Sequence, residues 1–189
     1  MLAQEVALKG LVFTTFYSFC ETRFGPDMLD DVIEDAQLPH GGAYTSVGTY
    51  PFEEMVSLIT ALVKRSGLTM PTLMERFGSF CFGCWVKKFP DLFYGRDLFD
   101  VLANIDDFHE SEVRKLYPDA ELPSFQVVSR NPDRIVLAYR SCKPLADLAV
   151  GVISGAGEHL GSPVSVSYGS KGDSIHFQVD RLGLGRLAA

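Results

Sequence analysis

The 189-residue sequence predicts an α+β fold: a mostly helical N-terminal part up to about Tyr117, then a small antiparallel sheet with an intervening helix. Three observations carry this. Apolar residues recur at helical spacing in successive segments from Leu11 to Tyr117. Beyond Pro123, short runs rich in Val, Ile, Tyr and Phe alternate with clusters of Asn, Asp, Gly and Pro, which is the pattern of hairpins. Between the two hairpins, Leu145, Leu148, Ala149, Val152, Ile153, Ala156 and Leu160 return to the helical period.

Leu11 to Glu21 reads as the first helix. Pro26 to Asp35 reads as the second, opening with Pro26-Asp27, where a missing N–H and a negative charge both suit a first turn. Leu38-Pro39-His40-Gly41-Gly42 breaks the periodicity. Pro51 to Arg65 resumes it, with Phe52, Met55, Leu58, Ile59, Leu62 and Val63 on one face and Gly67 as its end. Thr69 is placed to cap the next helix, with Pro71 in its first turn, and the run to Phe89 carries Phe77, Phe80, Phe82, Trp85 and Phe89. Gly95 to Tyr117 reads as one further helix. Leu98, Leu102, Ile105 and Leu116 share its apolar stripe, and His109, four residues after Ile105, points inward with them. Pro118 and Pro123 stop this helix. Strands are expected at Phe125 to Ser129 and Arg134 to Tyr139 around Arg130-Asn131-Pro132-Asp133. A helix follows from Pro144, then strands at Val164 to Tyr168 and Ser174 to Val179 around Gly169-Ser170-Lys171-Gly172-Asp173. A single domain is expected over residues 8–181, with flexible ends at 1–7 and 182–189.

With 47% hydrophobic residues, a chain of this length supplies one well-packed core rather than two. A net charge of −7 and the lack of any dense lysine or arginine block argue against a nucleic-acid or anionic-membrane surface. Met1 to Ala7 lacks the basic start and apolar run of a signal peptide, and no stretch of about 18 uninterrupted apolar residues exists, so a cytoplasmic location without membrane insertion is expected. Cys20, Cys81, Cys84 and Cys142 are then expected to be reduced. Cys81-Phe82-Gly83-Cys84 is a C-x-x-C, readable as a redox pair or as half a zinc site. A structural zinc wants four ligands, however, and His40, His159 and His176 are widely scattered. Within an aromatic helix the two thiols read as small core or pocket residues. No kinase, cyclase or phosphate-cradling Gly-rich loop is present, so a sensing or binding role is expected rather than an enzyme.

Taken singly, an inward histidine is more often a hydrogen-bonded core residue than a ligand, a strand-end Tyr139 a core aromatic, and Ser141 a helix cap. Their company is more specific. Leu8-Lys9-Gly10, Asp106-Asp107-Phe108-His109, the connection from Tyr117 through Pro118 and Pro123 to Phe125, and Tyr139-Arg140-Ser141-Cys142-Lys143 follow one another in order. In these segments and their spacing the chain resembles, over nearly its whole length, the haem nitric oxide/oxygen binding (H-NOX) family. The resemblance implies the H-NOX fold, with haem b held between the helical part and the sheet and His109 as proximal ligand to the iron. It also implies a propionate clamp from the family's Y-x-S-x-R motif, here Tyr139 and Ser141, with Pro123 among the haem contacts. Lys143 stands where the motif has Arg. A point charge on a flexible stem replaces a planar fork there, which weakens geometric control more than attraction.

By the same resemblance, oxygen-binding members place a tyrosine donor on the helix after the motif, and Leu148 occupies that place here. Val12, Phe16, Cys81 and Trp85 match other distal-wall positions, and only the Trp85 indole carries an N–H. The implication is binding of nitric oxide and CO at ferrous haem with oxygen excluded. The expected output is a change in the His109 helix, read by a separate partner such as a histidine kinase or a diguanylate cyclase/phosphodiesterase that binds the two states differently. Some members carry a cysteine and histidine zinc cluster in the C-terminal part; only Cys142 follows Cys84 here, so that site is not expected. Two alternatives stand beside this reading: a haem-free interaction module of the same fold, motivated by Lys143, and a thiol redox protein using Cys81 and Cys84.

Overall fold

Three-residue strands carry no readable period, and the structure opens with two of them that the sequence does not announce. In this computed structural model, which describes residues 7–39 and 41–183, β1 (Ala7–Lys9) pairs antiparallel with β2 (Thr49–Pro51), Leu8 opposite Tyr50. All but Ala7, Leu182 and Gly183 of the expected flexible ends, and His40, lie outside the described residues. The chain divides into two units. The first comprises the chain up to Leu73 together with Leu116–Glu121; the second comprises Met74–Lys115 and the chain from Leu122 onward.

In the first unit, α1 (Gly10–Phe24) starts where the Gly10 N–H donates to the Gly48 carbonyl at 2.8 Å. A Cβ at Gly10 would stand 1.8 Å from the Thr45 carbonyl oxygen, so the turn into α1 admits no side chain. α2 (Pro26–Ala36) begins at the expected proline, and α3 (Phe52–Ser66) ends at Gly67, whose φ of 70° suits a residue without Cβ. α2 packs on both α1 and α3, and Phe13, Phe16, Phe19, Val32, Met55, Leu58 and Leu62 are buried. The Lys9 ammonium donates at 2.7 Å to both Thr49 and Asp119, tying the 116–121 segment to β1.

The second unit takes α4 (Met70–Lys88) from Met74 onward, then the short α5 (Pro90–Phe93), which the sequence reading missed. The Thr69 hydroxyl accepts from the Thr72 N–H at 3.3 Å, as a cap should. The single helix expected over Gly95 to Tyr117 is instead four pieces: α6 (Leu98–Ala103), α7 (Ile105–Phe108), a π turn at His109–Val113, and α8 (Arg114–Leu116). Local hydrogen bonds account for the first break. Asp97 caps α6 by accepting from the Phe99 N–H at 2.9 Å, and the Asn104 side chain donates to the Asp100 carbonyl at 2.7 Å, leaving Asn104 non-helical at φ −111°, ψ 19°. Beyond His109 the π turn changes the number of residues per turn, so a stripe counted at 3.6 loses its register. Leu116, counted on that stripe, is 55% exposed.

The four-stranded antiparallel sheet runs in the order β3-β4-β6-β5, from β3 (Ser124–Arg130), β4 (Arg134–Arg140), β5 (Val164–Lys171) and β6 (Ser174–Arg181). The Asn131 side chain closes the first hairpin by accepting from the amides of Asp133 at 2.9 Å and Arg134 at 2.8 Å. The second hairpin is tighter than expected, with Lys171 paired to Ser174 and Gly172 at φ 65° in the turn. α9 (Ala146–His159) supplies Val150 and Ile153 to a core shared with Phe82, Phe99, Ile135, Leu137, Phe177 and Val179. The α+β architecture is thus the one the sequence predicts. Among the described residues no helix is long and apolar enough to cross a membrane.

Candidate functional site

His109 opens the π turn, and its backbone N–H is shared between the carbonyls of Ile105 and Asp106. Single π turns are rare and concentrate at functional positions. The side chain is 18% exposed, and its Nδ1 is the buried side-chain nitrogen or oxygen that, among the described residues, has no hydrogen-bond partner. Burial holds the imidazole pKa below its ordinary value, against the Asp106 carboxylate and the Pro123 carbonyl, which act to raise it. A neutral imidazole suits a metal ligand, since the neutral form is the one that coordinates.

A line of rings leads from His109 into the sheet. Its centroid lies 6.4 Å from that of Phe125, Phe125 lies 5.0 Å from Tyr139, and Tyr139 lies 5.4 Å from Phe177. Phe125 and Tyr139 face each other across the β3–β4 ladder. Tyr139 is 3% exposed; burial raises its pKa, while a hydrogen bond with the Ser141 side chain acts the other way. The Ser141 hydroxyl accepts from the Lys143 N–H at 3.0 Å, so it shapes the loop before α9. Lys143 is buried at 5% exposure, with Nζ 3.6 Å from the Cys142 sulfur.

Cys81 is buried on α4, Trp85 lies half-buried one turn later, and Leu148 is half-buried on α9. A Cβ at Gly78 would meet the Leu148 carbonyl oxygen at 2.2 Å, which sets Leu148 against α4 one turn before Cys81. Val12, half-buried, and Phe16, buried, share a face of α1 in the first unit. Burial pushes the Cys81 thiol up. It does the same to Cys84, where Lys87 pulls down only in part. A reactive thiol needs the opposite shift, so the pair has the character of core residues. No group of three or more His, Cys, Asp or Glu side chains is placed to hold a metal ion among the described residues.

Sequence reasoning gave no role to Asp106 or Phe125. The available signal was spacing: a carboxylate three residues before an inward histidine shares its helix face.

The haem-NO-binding family model matches residues 9–168. The chain is 25% identical over 141 residues to soluble guanylate cyclase 89Db of Drosophila melanogaster, an alignment covering 71% of this chain and 20% of that protein. It therefore spans about a fifth of the length of the curated relatives it matches. Among solved structures, a point mutant of the H-NOX protein from K. algicida, in its unliganded Fe(II) form, superposes with a TM-score of 0.85 at 30% identity, covering 94% of this chain and 98% of that one. The S. oneidensis H-NOX protein in its Fe(II)NO state gives a TM-score of 0.83 over 93% of this chain and 100% of its own, and at 22% identity it speaks for the fold alone. A family model that covers most of the sequence, and a fold shared nearly end to end with H-NOX structures, make the chain a member of the haem-NO-binding (H-NOX) family.

Proposed function

We propose that this chain is a haem-based gas sensor that holds haem b through His109, binds nitric oxide and CO at the ferrous iron, and excludes oxygen. The observation that carries the reading is the His109 imidazole, half-buried, kept neutral and set in a π turn. Membership of a haem-NO-binding family supports haem iron as what the imidazole ligates.

Haem supplies the iron on which a diatomic gas is held; the chain supplies everything that orients and selects. Tyr139, Ser141 and the buried Lys143 would hold the propionates, Lys143 as a point charge rather than a fork. Pro123 would constrain the proximal ring through its carbonyl. Cys81 and Trp85 would wall the distal side against water, and Leu148, which has no hydrogen-bond donor, would leave bound oxygen unsupported. In this reading residues 8–181 form one haem-binding domain in the cytoplasm. It performs no catalysis itself and signals to a separate histidine kinase or cyclic-di-GMP enzyme that distinguishes its two states.

Haem titration of the haem-free protein tests the reading. The wild type takes up one equivalent and His109→Gly retains little, with imidazole in the buffer restoring uptake. Undiminished retention by His109→Gly without imidazole overturns it.

A further inference from the structure

Nδ1 of His109 and Oδ1 of Asp106 face each other at 4.0 Å, across the junction of α7 and the π turn. The same Asp106 oxygen accepts the Phe125 N–H at 2.9 Å, so the carboxylate is fixed to the start of β3 rather than free to swing. It is 42% exposed and presents an oxygen toward the half-buried ring. Glu110, the other carboxylate acting on this imidazole, is engaged by the Arg114 guanidinium at 2.6 Å.

We propose that Asp106 is the positioning residue for His109: with the ring's other nitrogen on iron, the Nδ1–H donates to the Asp106 carboxylate. This rests on the reading of His109 as haem ligand. A carboxylate in this position fixes the ring's orientation and tautomer and makes its coordinating nitrogen more basic, strengthening the bond to the metal. Closing from 4.0 Å to hydrogen-bond distance takes a shift of about 1 Å. Because the same oxygen serves Phe125, that shift is felt at the first residues of β3, and Asp106 couples the state of His109 to the sheet edge.

The test uses Asp106→Asn, which keeps an acceptor for the Phe125 amide and removes the charge, and Asp106→Glu, which restores the charge. In the unliganded ferrous protein, resonance Raman reads the iron–histidine stretching frequency. It is expected to fall in Asp106→Asn and to recover in Asp106→Glu. Haem loss to apomyoglobin is expected to be about 10–100-fold faster in Asp106→Asn. Independently of any variant's stability, nitrogen NMR of the haem-free wild type is expected to show His109 protonated at Nδ1. An iron–histidine mode that is present and unmoved by Asp106→Asn overturns the inference alone, leaving the Pro123 carbonyl as the ring's partner. Absence of that mode in the wild type overturns the His109 reading and this inference with it.

Discussion

Gly78 and Leu148 meet backbone to backbone: a Cβ at Gly78 would lie 2.2 Å from the Leu148 carbonyl oxygen. Two further glycines extend the contact from the α9 side. A Cβ at Gly151 would lie 2.0 Å from the Glu75 carbonyl oxygen, and one at Gly155 would lie 2.9 Å from the Ser79 Cα. Backbone carbonyls cannot yield as a flexible side chain can, so these glycines fix the separation of α4 and α9. They thereby fix the placement of Leu148 beside the helix that carries Cys81 and Trp85.

Gly78→Ala and Gly151→Ala are each expected to destabilise the protein by about 3 kcal/mol, at the upper end of the cost of overpacking. Gly83 sits on the same helix α4 with nothing within 4 Å of its notional Cβ, and Gly83→Ala is expected to gain about 0.5–1 kcal/mol. Urea midpoints separate the two classes, and equal midpoints for all three variants would contradict the backbone contact.

Acid stability depends on Asp97. Burial pushes its pKa up, but bonds from the Arg181 guanidinium at 2.6 Å and the Phe99 amide at 2.9 Å outweigh that, and the carboxyl is held below its ordinary value. The unfolded chain therefore binds the proton more readily. The stabilisation is fully present above about pH 4, the ordinary carboxylate value, and is lost as pH falls through the folded value. Urea midpoints measured from pH 6 to pH 3 are expected to fall less steeply for Asp97→Asn than for the wild type; parallel curves would contradict the assignment.

Lys143→Arg is expected to slow haem loss to apomyoglobin by about fivefold, near 1 kcal/mol, because a bidentate fork replaces a point charge. Tyr139→Ala and Ser141→Ala are expected to speed it. Loss rates unchanged in all three would remove these residues from the haem contacts.

Much of this was legible in the sequence because the signals were local. Pro26 and Gly67 punctuate helices as their backbone chemistry requires, and the Asn131 side chain closes the first hairpin where a turn was read. What escaped depends on partners or on irregular backbone. The apolar stripe from Leu98 to Ile105 suggested one continuous helix, since a π turn inserts its extra residue without leaving a mark in a 3.6-residue count. Gly78 and Gly151 read only as weak spots in helices until the opposing backbone is known. The inward placement of His109 and its order relative to Tyr139 were readable, whereas the link through Phe125 needs the β3–β4 register.

Leu148→Tyr is expected to bring in oxygen affinity. A hydroxyl at that position contributes about 1–3 kcal/mol through a hydrogen bond, roughly ten- to a hundredfold in affinity. Oxygen titration of the ferrous variant reads the gain, and an affinity no higher than the wild type's argues against Leu148 as the donor position.

The most direct measurement is the visible spectrum of the purified, haem-loaded ferrous wild-type protein under argon, nitric oxide and air. Expected are a ferrous haem spectrum under argon, a distinct stable one with nitric oxide, and no stable oxygen complex in air. A stable oxygen complex in air, or no haem spectrum at all after loading, would contradict that expectation.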